Sequence, residues 1–127
     1  MTDLVLGLEQ DIASKLLEPG ALRTLVSTRS TPAPLPQGQT MPAVTWQKIP
    51  GGLYITTHGG LDGLLMGHYQ FDAWASTKVS AVTVGDALMA LLGAWKKRAI
   101  INDSWDFFEA ETGLYRISVD VHIWNVL

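Results

Sequence analysis

Four side chains capable of acid–base or metal chemistry fall at matching places in two segments of the chain. They are His68 and Asp72 in the first segment and Asp120 and His122 in the second. Both segments alternate polar and apolar residues, as a strand with one buried face does, so all four lie on the polar faces of their strands. If the two strands are neighbours, two imidazoles and two carboxylates share one sheet face, where they could hold a metal ion or a water.

The spacing of these residues argues against such a site. It lacks a metal signature such as His-Glu-x-x-His, and no motif supplies a concave pocket in which the groups converge. Ser118, Asp120 and His122 do not form a triad either, because Ser118 and His122 lie too far apart along one strand for a nucleophile–base hydrogen bond. The sequence therefore predicts no catalytic residue, no metal ligand and no cofactor.

Length and composition indicate one globular domain, residues 1–127. The absence of cysteine excludes a disulfide scaffold, a thiol nucleophile and a cysteine-ligated zinc. The net charge of 9 − 12 = −3 gives no basic footprint for nucleic acid. The one cationic cluster, Lys96-Lys97-Arg98, suits the end of a helix. No apolar run approaches the ~20 residues needed to span a bilayer, and no signal peptide is visible, so we expect no membrane partner and synthesis in the cytoplasm.

Two amphipathic helices are predicted. In residues 4–17 apolar side chains recur every four residues, and Pro19-Gly20 ends the helix. The second helix covers residues 78–97, with Ser76 or Thr77 as its N-cap. Its apolar stripe consists of Ala81, Val84, Ala87, Leu88, Leu91, Leu92 and Trp95.

Four strands form two predicted hairpins. In the first hairpin, residues 43–49, continued by 53–57, pair with residues 64–74. In the second hairpin, residues 99–108 pair with residues 114–126, and we expect this last segment to be a structural strand. The glycines of 51–63 lack a Gly-x-x-x-x-Gly-Lys pattern and indicate a hairpin tip rather than a phosphate loop. The fold class is α+β, with two main helices on one face of a four-stranded, mainly antiparallel sheet in the order α-β-β-α-β-β. The expected sheet core is Tyr69, Phe71, Ile117, Val119 and Val121.

The linker between the first helix and the first hairpin is a second candidate for function. Residues 27–41 contain three prolines within five positions, which cannot join a central strand or a helix interior. This proline-rich arm is either a solvated connection or a segment that becomes ordered against a partner. Gln70–Trp74 and Asp120–Trp124 share one alternating pattern that ends in tryptophan, and a helix–hairpin unit used twice would explain this loose duplication.

Three segments in a fixed order carry the most specific signal. They are Met41–Ile49, Tyr69–Ala75 with the amphipathic helix that follows, and Glu111–Arg116 running on to Trp124. The ordered set resembles the tail-completion and tail-terminator family of long-tailed bacteriophages and prophages. In that family a Pro-Ala-(Ile/Val)-Thr-Tyr strand follows a proline-rich arm, a Gln-x-Asp-x-Trp strand leads into a helix, and a Thr-Gly-Leu-Tyr-Arg turn begins the last strand. Trp46 replaces the usual tyrosine, and residues 51–63 are richer in glycine than the family pattern.

The resemblance implies a structural virion protein rather than an enzyme. Such a protein caps the completed tail tube as an oligomeric ring, usually a hexamer, and provides the surface for joining to the head connector. Its partners are other copies of itself, the tail tube protein and the head–tail connector or stopper, and DNA passes through the channel without specific binding. An acidic chain suits that channel, because cationic walls would hold the phosphates. The location implied is the tail and neck region of the virion, after synthesis in the host cytoplasm.

The candidate assembly residues lie in the arm, at the hairpin tip and on the strands. An exposed tryptophan among them would make a good interface anchor. Two alternatives stay open: another neck or connector component of related fold, and a non-viral adaptor that binds one protein by strand addition. The candidate residues are Pro32, Pro34, Leu35, Pro36, Trp46, Tyr54, His58, Leu61, Trp74 and Trp124.

Overall fold

The computed structural model describes residues 4–58, 62–95 and 99–126. The α+β class is confirmed, and the two main helices and the four predicted strands follow one another in the predicted order. The structure adds a short helix, α2, and a short strand, β1, between the first main helix and the first hairpin. The predicted extension of the first strand beyond Pro50 is also confirmed, with a register shift between Lys48 and Leu53. The elements are α1 (Leu4–Leu16), α2 (Ala21–Val26), β1 (Ser30–Pro32), β2 (Ala43–His58), β3 (Asp62–Ala75), α3 (Lys78–Gly93), β4 (Ala99–Glu109) and β5 (Leu114–Val126).

The sheet has five strands in the order β1-β2-β3-β5-β4, so the prediction of a four-stranded sheet was wrong. The additional strand, β1, lies within the proline-rich arm and pairs in parallel with β2, with Ser30 opposite Val44. All other neighbours are antiparallel. A strand of three residues is too short to show alternation, and it tolerates Pro32 because an edge strand can lack one backbone donor.

The helix boundaries follow local chemistry. α3 begins at Lys78 behind the predicted cap Thr77, whose Oγ1 accepts a hydrogen bond of 3.2 Å from the Ser80 backbone N–H. It ends at Gly93 rather than at the predicted residue 97, and the backbone N–H of the C-cap Ala94 donates to Ala90 O at 3.1 Å. The Lys96-Lys97-Arg98 cluster lies outside the described residues.

Helices pack on one face of the sheet and form the core there. Leu8, Ile12 and Leu16 of α1 are fully buried, and α3 buries the stripe that contains Val84, Leu88 and Leu92. A Cβ on Gly85 would lie 3.0 Å from Ile117 Cγ2, so the glycine lets α3 approach β5 closely. The sheet residues predicted for this core, Tyr69, Phe71, Ile117, Val119 and Val121, are all buried, which confirms the assignment of strand faces.

Candidate functional site

The face of the sheet opposite the helices carries the polar residues singled out by the sequence. β3 and β5 are antiparallel neighbours, and their register places His68 opposite His122 and Asp72 opposite Ser118. Gln70 lies between these pairs, opposite Asp120. The prediction that the two histidines and two aspartates share one face is therefore confirmed, and they divide into two clusters along it.

The first cluster is built around two histidines. The His68 and His122 rings stack with their centroids 4.3 Å apart and their planes 24° apart. His68 Nε2 contacts Asp120 Oδ1, and His122 Nδ1 accepts a hydrogen bond from the side-chain amide of Asn102. Burial and the neighbouring His68 lower the pKa of His122 below its ordinary value, although Asp120 opposes this shift. The stack therefore favours an uncharged His122.

This cluster does not present the geometry of a hydrolytic or metal site. Ser118 Oγ donates a hydrogen bond of 2.5 Å to Asp72 Oδ1, which directs the hydroxyl to a carboxylate rather than to an imidazole. A nucleophile–base pair would need the hydroxyl within hydrogen-bond reach of His122. Within residues 4–58, 62–95 and 99–126, no group of three or more histidine, aspartate or glutamate side chains is arranged to hold a metal ion.

The second cluster is a buried polar network around Asp72, whose exposed fraction is only 4%. Besides Ser118, Gln70 Nε2 donates to both carboxylate oxygens, at 3.0 and 3.2 Å. Arg116 Nη1 lies 4.0 Å from Asp72 Oδ2. Alternation predicts a solvated polar face, yet Ser118 is completely buried. Sequence reasoning missed this network, since its burial depends on the side chains that pack around it.

Large side chains flank the Asp72 network. The Arg116 guanidinium lies 5.3 Å from the Trp74 ring centroid and 4.5 Å from that of Phe107, both within cation–π range. Trp74 Nε1 donates a hydrogen bond of 2.9 Å to Thr45 Oγ1, which is also buried. In the described part of the chain, Arg116 Nε is buried and lacks a hydrogen-bond partner. This end of the polar face is therefore a packed layer rather than an open solvated surface.

The proline-rich arm lies beside this layer and forms a groove with it. The groove has a volume of about 590 Å³ between the arm and the turn that joins β4 to β5. The arm is tied to its own domain near both ends, because Ala33 N–H donates to Trp46 O at 2.9 Å and Arg29 Nε donates to Pro42 O at 2.9 Å. The groove is lined by Leu35, Pro36, Gln37, Gly38, Gln39, Met41, Trp74, Glu109, Thr112 and Leu114.

The structure separates the candidate assembly residues into different environments. Leu35 and Pro36 meet Trp74 at the groove, and Pro32 ends β1. Trp46 is a core residue with 4% exposure and Trp74 is 8% exposed, so neither is available as an exposed anchor. Trp124 is partly exposed, opposite Met66. Pro34 is exposed in the arm. Leu61 and the side chains of Tyr54 and His58 lie outside the described part.

Sequence reasoning also missed the apolar side chains exposed on β4. Ile100, Phe107 and Phe108 are 55%, 44% and 55% exposed. Phe107 and Phe108 are consecutive, so they point to opposite faces of the sheet. The sequence does carry a signal for this strand. β4 has apolar residues on both faces and several acidic residues, a combination that is unusual for an edge strand.

Two comparisons with known proteins give a match. The sequence profile of the family described as "Tail completion protein gp17" matches residues 10–125. A solved chain from the virion of a native gene transfer agent particle matches with a TM-score of 0.68 at 14% identity, over 89% of this chain and 90% of that one. That likeness shows a shared fold. The comparison with curated proteins gives no significant match. No described helix has the length and apolar character needed to cross a membrane.

Proposed function

The chain belongs to the tail completion protein gp17 family, and we propose that it caps the completed tail tube as an oligomeric ring and joins it to the head connector. Family membership makes it a structural protein of the phage virion, in the tail and neck region. The proposed partners are other copies of itself, in a hexamer, the tail tube protein and the connector or stopper. DNA passes through the ring without specific binding.

The family match over residues 10–125 is the observation that carries this proposal. It runs from within α1 to the end of β5, so it concerns the whole fold rather than one motif. On the polar sheet face, Asp72 and Ser118 are buried and hydrogen-bonded to each other in a packed layer. This arrangement is consistent with a protein whose role is to make contacts with other proteins. The channel role agrees with the net charge of −3, since phosphates are held by cationic surfaces.

The proline-rich arm provides the direct test. The sequence predicts that deleting Pro32–Gln39 impairs assembly and leaves the fold intact. Because Pro32 belongs to β1 and Ala33 bonds to Trp46, a milder change separates the two effects better. Replacing Leu35 and Pro36 with serine alters the groove and keeps β1. We expect head–tail joining to fall at least about tenfold, equivalent to about 1.4 kcal/mol of binding free energy.

Joining is measured in an assembly extract that lacks the protein, with purified variants added back and tailed particles counted by electron microscopy. Leu17→Ser is the matched control, because Leu17 is an exposed leucine that directly follows α1 and does not line the groove. Unchanged joining would refute the role of the arm. A melting temperature that falls in parallel with joining would make the segment part of the structural core. Binding to connectors without binding to tubes would indicate a neighbouring neck component instead.

A further inference from the structure

Charge is distributed unevenly along the chain. Residues 19–61 contain Arg23, Arg29 and Lys48 and no acidic residue, which gives 3 − 0 = +3. Residues 99–113 contain no lysine or arginine and four acidic residues, which gives 0 − 4 = −4. The chain as a whole carries −3, so neither segment reflects the average. The acids of the second segment are Asp103, Asp106, Glu109 and Glu111.

The fold places these two segments at opposite edges of the same sheet. In the order β1-β2-β3-β5-β4, the basic segment supplies β1 and β2, and the acidic segment supplies β4. Within the described chain, β4 pairs only with β5, and β1 covers β2 only from Val44 to Trp46. β2 is therefore open on its outer side from Gln47 onward. Open strand edges are ready templates for pairing with another chain.

Among the residues that the structure describes, no ion pair cancels the charges at the basic edge. Arg23 Nη1 donates to the Leu17 carbonyl at 2.7 Å, and Arg29 Nε donates to the Pro42 carbonyl. Both arginines thus bond to neutral groups and keep their charge, and Lys48 is exposed on β2. Because Arg29 directly precedes β1 and Lys48 lies on β2, this edge of the sheet carries positive charge that attracts an acidic partner.

The acidic edge has the composition of an interface. Asp106 has an ion pair with Lys78 at 3.4 Å, but both side chains are about 60% exposed, so the pair is weak. Phe107 and Phe108 are exposed beside it, and aromatic side chains are common binding anchors. The edge thus combines negative charge, apolar area and unpaired backbone groups.

We propose that the β4 edge of one copy docks on the β1–β2 edge of the next, in a head-to-tail contact that continues the sheet between subunits. This inference rests on the ring proposed above and names the surfaces that close it. Two different, complementary patches on opposite edges produce a heterologous contact, which generates a ring when the rotation closes. A symmetric β4–β4 contact would instead bring −4 against −4 and is disfavoured by repulsion.

Cross-linking tests this contact directly, because the chain contains no cysteine and has no background reaction. Gln47→Cys marks the basic edge and Ser104→Cys marks the acidic edge, and both positions are exposed. The chain carrying both changes is treated with a short bis-maleimide, alone and with tail tubes, and separated by denaturing electrophoresis. A control chain combines Ser104→Cys with Ser14→Cys, an exposed position on α1.

Head-to-tail contact predicts a ladder of cross-linked species for the Gln47/Ser104 chain. Each single variant should stay monomeric, an equal mixture of the two should give dimers only, and the control chain should give no ladder. Dimers from Ser104→Cys alone would show a symmetric β4 contact and overturn the proposal. A cross-link that joins β4 only to tube protein would assign this edge to the tube contact and would also overturn the proposal. The absence of any ladder, with and without tubes, would also refute it.

Charge exchange gives a second readout that does not depend on cysteine. Asp103→Lys with Asp106→Lys in one chain, and Lys48→Glu in another, should each lower assembly in native mass spectrometry. Mixing the two chains should restore alternating rings, because the substituted β4 edge of one chain then faces the substituted β2 edge of the other, and the two unchanged edges face each other. Folding of each variant is checked by circular dichroism. Rings that form through these edges but fail to bind tubes would contradict the proposed function alone, whereas rings insensitive to both reversals would contradict this inference alone.

Discussion

Removal of the Asp72 carboxylate tests whether the buried network stabilises the fold. Asp72→Ala takes away the acceptor of the Ser118 hydroxyl at 2.5 Å and of the Gln70 amide at 3.0 Å. Ser118 is completely buried and would be left without its partner. We therefore expect a loss of stability that is large for a single substitution on a polar face.

The size of the effect follows from the individual contacts. A hydrogen bond to a charged group contributes about 1.5–3 kcal/mol, and leaving a buried hydroxyl unpaired costs about 1–3 kcal/mol. The Arg116 pair adds at most about 1 kcal/mol, because its atoms are 4.0 Å apart and Arg116 is 22% exposed. Breaking a buried charged network in other proteins costs about 3–5 kcal/mol. We expect a loss in that range from a total of about 5–15 kcal/mol.

Urea unfolding followed by tryptophan fluorescence and far-ultraviolet circular dichroism measures this loss. With a slope of about 1–3 kcal/mol per molar urea, the midpoint should fall by roughly 1–5 M. Asp86→Ala is the matched control, because Asp86 is an exposed aspartate on α3, and it should stay within about 0.5 kcal/mol of the parent. A double-mutant cycle with Ser118→Ala isolates the Asp72–Ser118 term. A loss below about 1 kcal/mol for Asp72→Ala would refute the structural role of the network.

Two further predictions concern the core and pH. Val119→Asp places a carboxylate at a completely buried position, which costs several kcal/mol and should abolish the cooperative melting transition. The isosteric Val119→Thr should retain this transition. A folded Val119→Asp chain would contradict the core assignment. The pKa of His122 in the folded chain lies below its ordinary value of 6.5, so the unfolded chain binds more protons than the folded one. The contribution of His122 to stability is therefore present above pH 6.5 and is lost as the pH falls through the folded pKa. Urea midpoints measured from pH 7.5 to 5 should fall, and His122→Gln should reduce the slope; an unchanged slope would exclude His122 as the cause.

Alternation and helical periodicity predicted most of the fold because each depends on local sequence. The apolar positions Ile117, Val119 and Val121 identified the buried face of β5, and the N-cap Thr77 marked the start of α3. β1 could not be predicted, since three residues leave no period to detect and its one strand partner among the described residues is a parallel neighbour. The end of α3 was placed too late because the apolar stripe continues to Trp95 after Gly93 has ended the helix.

The candidate site was less predictable, because its properties arise between elements. The sequence placed His68 and His122 on one face, but it could not show that Ser118 is buried or that it bonds to Asp72. The sequence places Trp46 and Trp74 on strands but does not show whether either is exposed. Only the packing in the structure shows that both are buried. The charges of 99–113 were visible in the sequence, yet their meaning depends on β4 being an edge strand.

The position of β5 in the sheet has a consequence for synthesis. β5 is the last of the five strands in chain order, yet it lies between β3 and β4. On the ribosome, β3 and β4 therefore have no partner on their facing sides until β5 emerges, and open strand edges of this kind promote aggregation. The sheet can form completely only after Leu114–Val126 has left the ribosome. The proposed edge-to-edge contact therefore requires that each copy first bury this central strand.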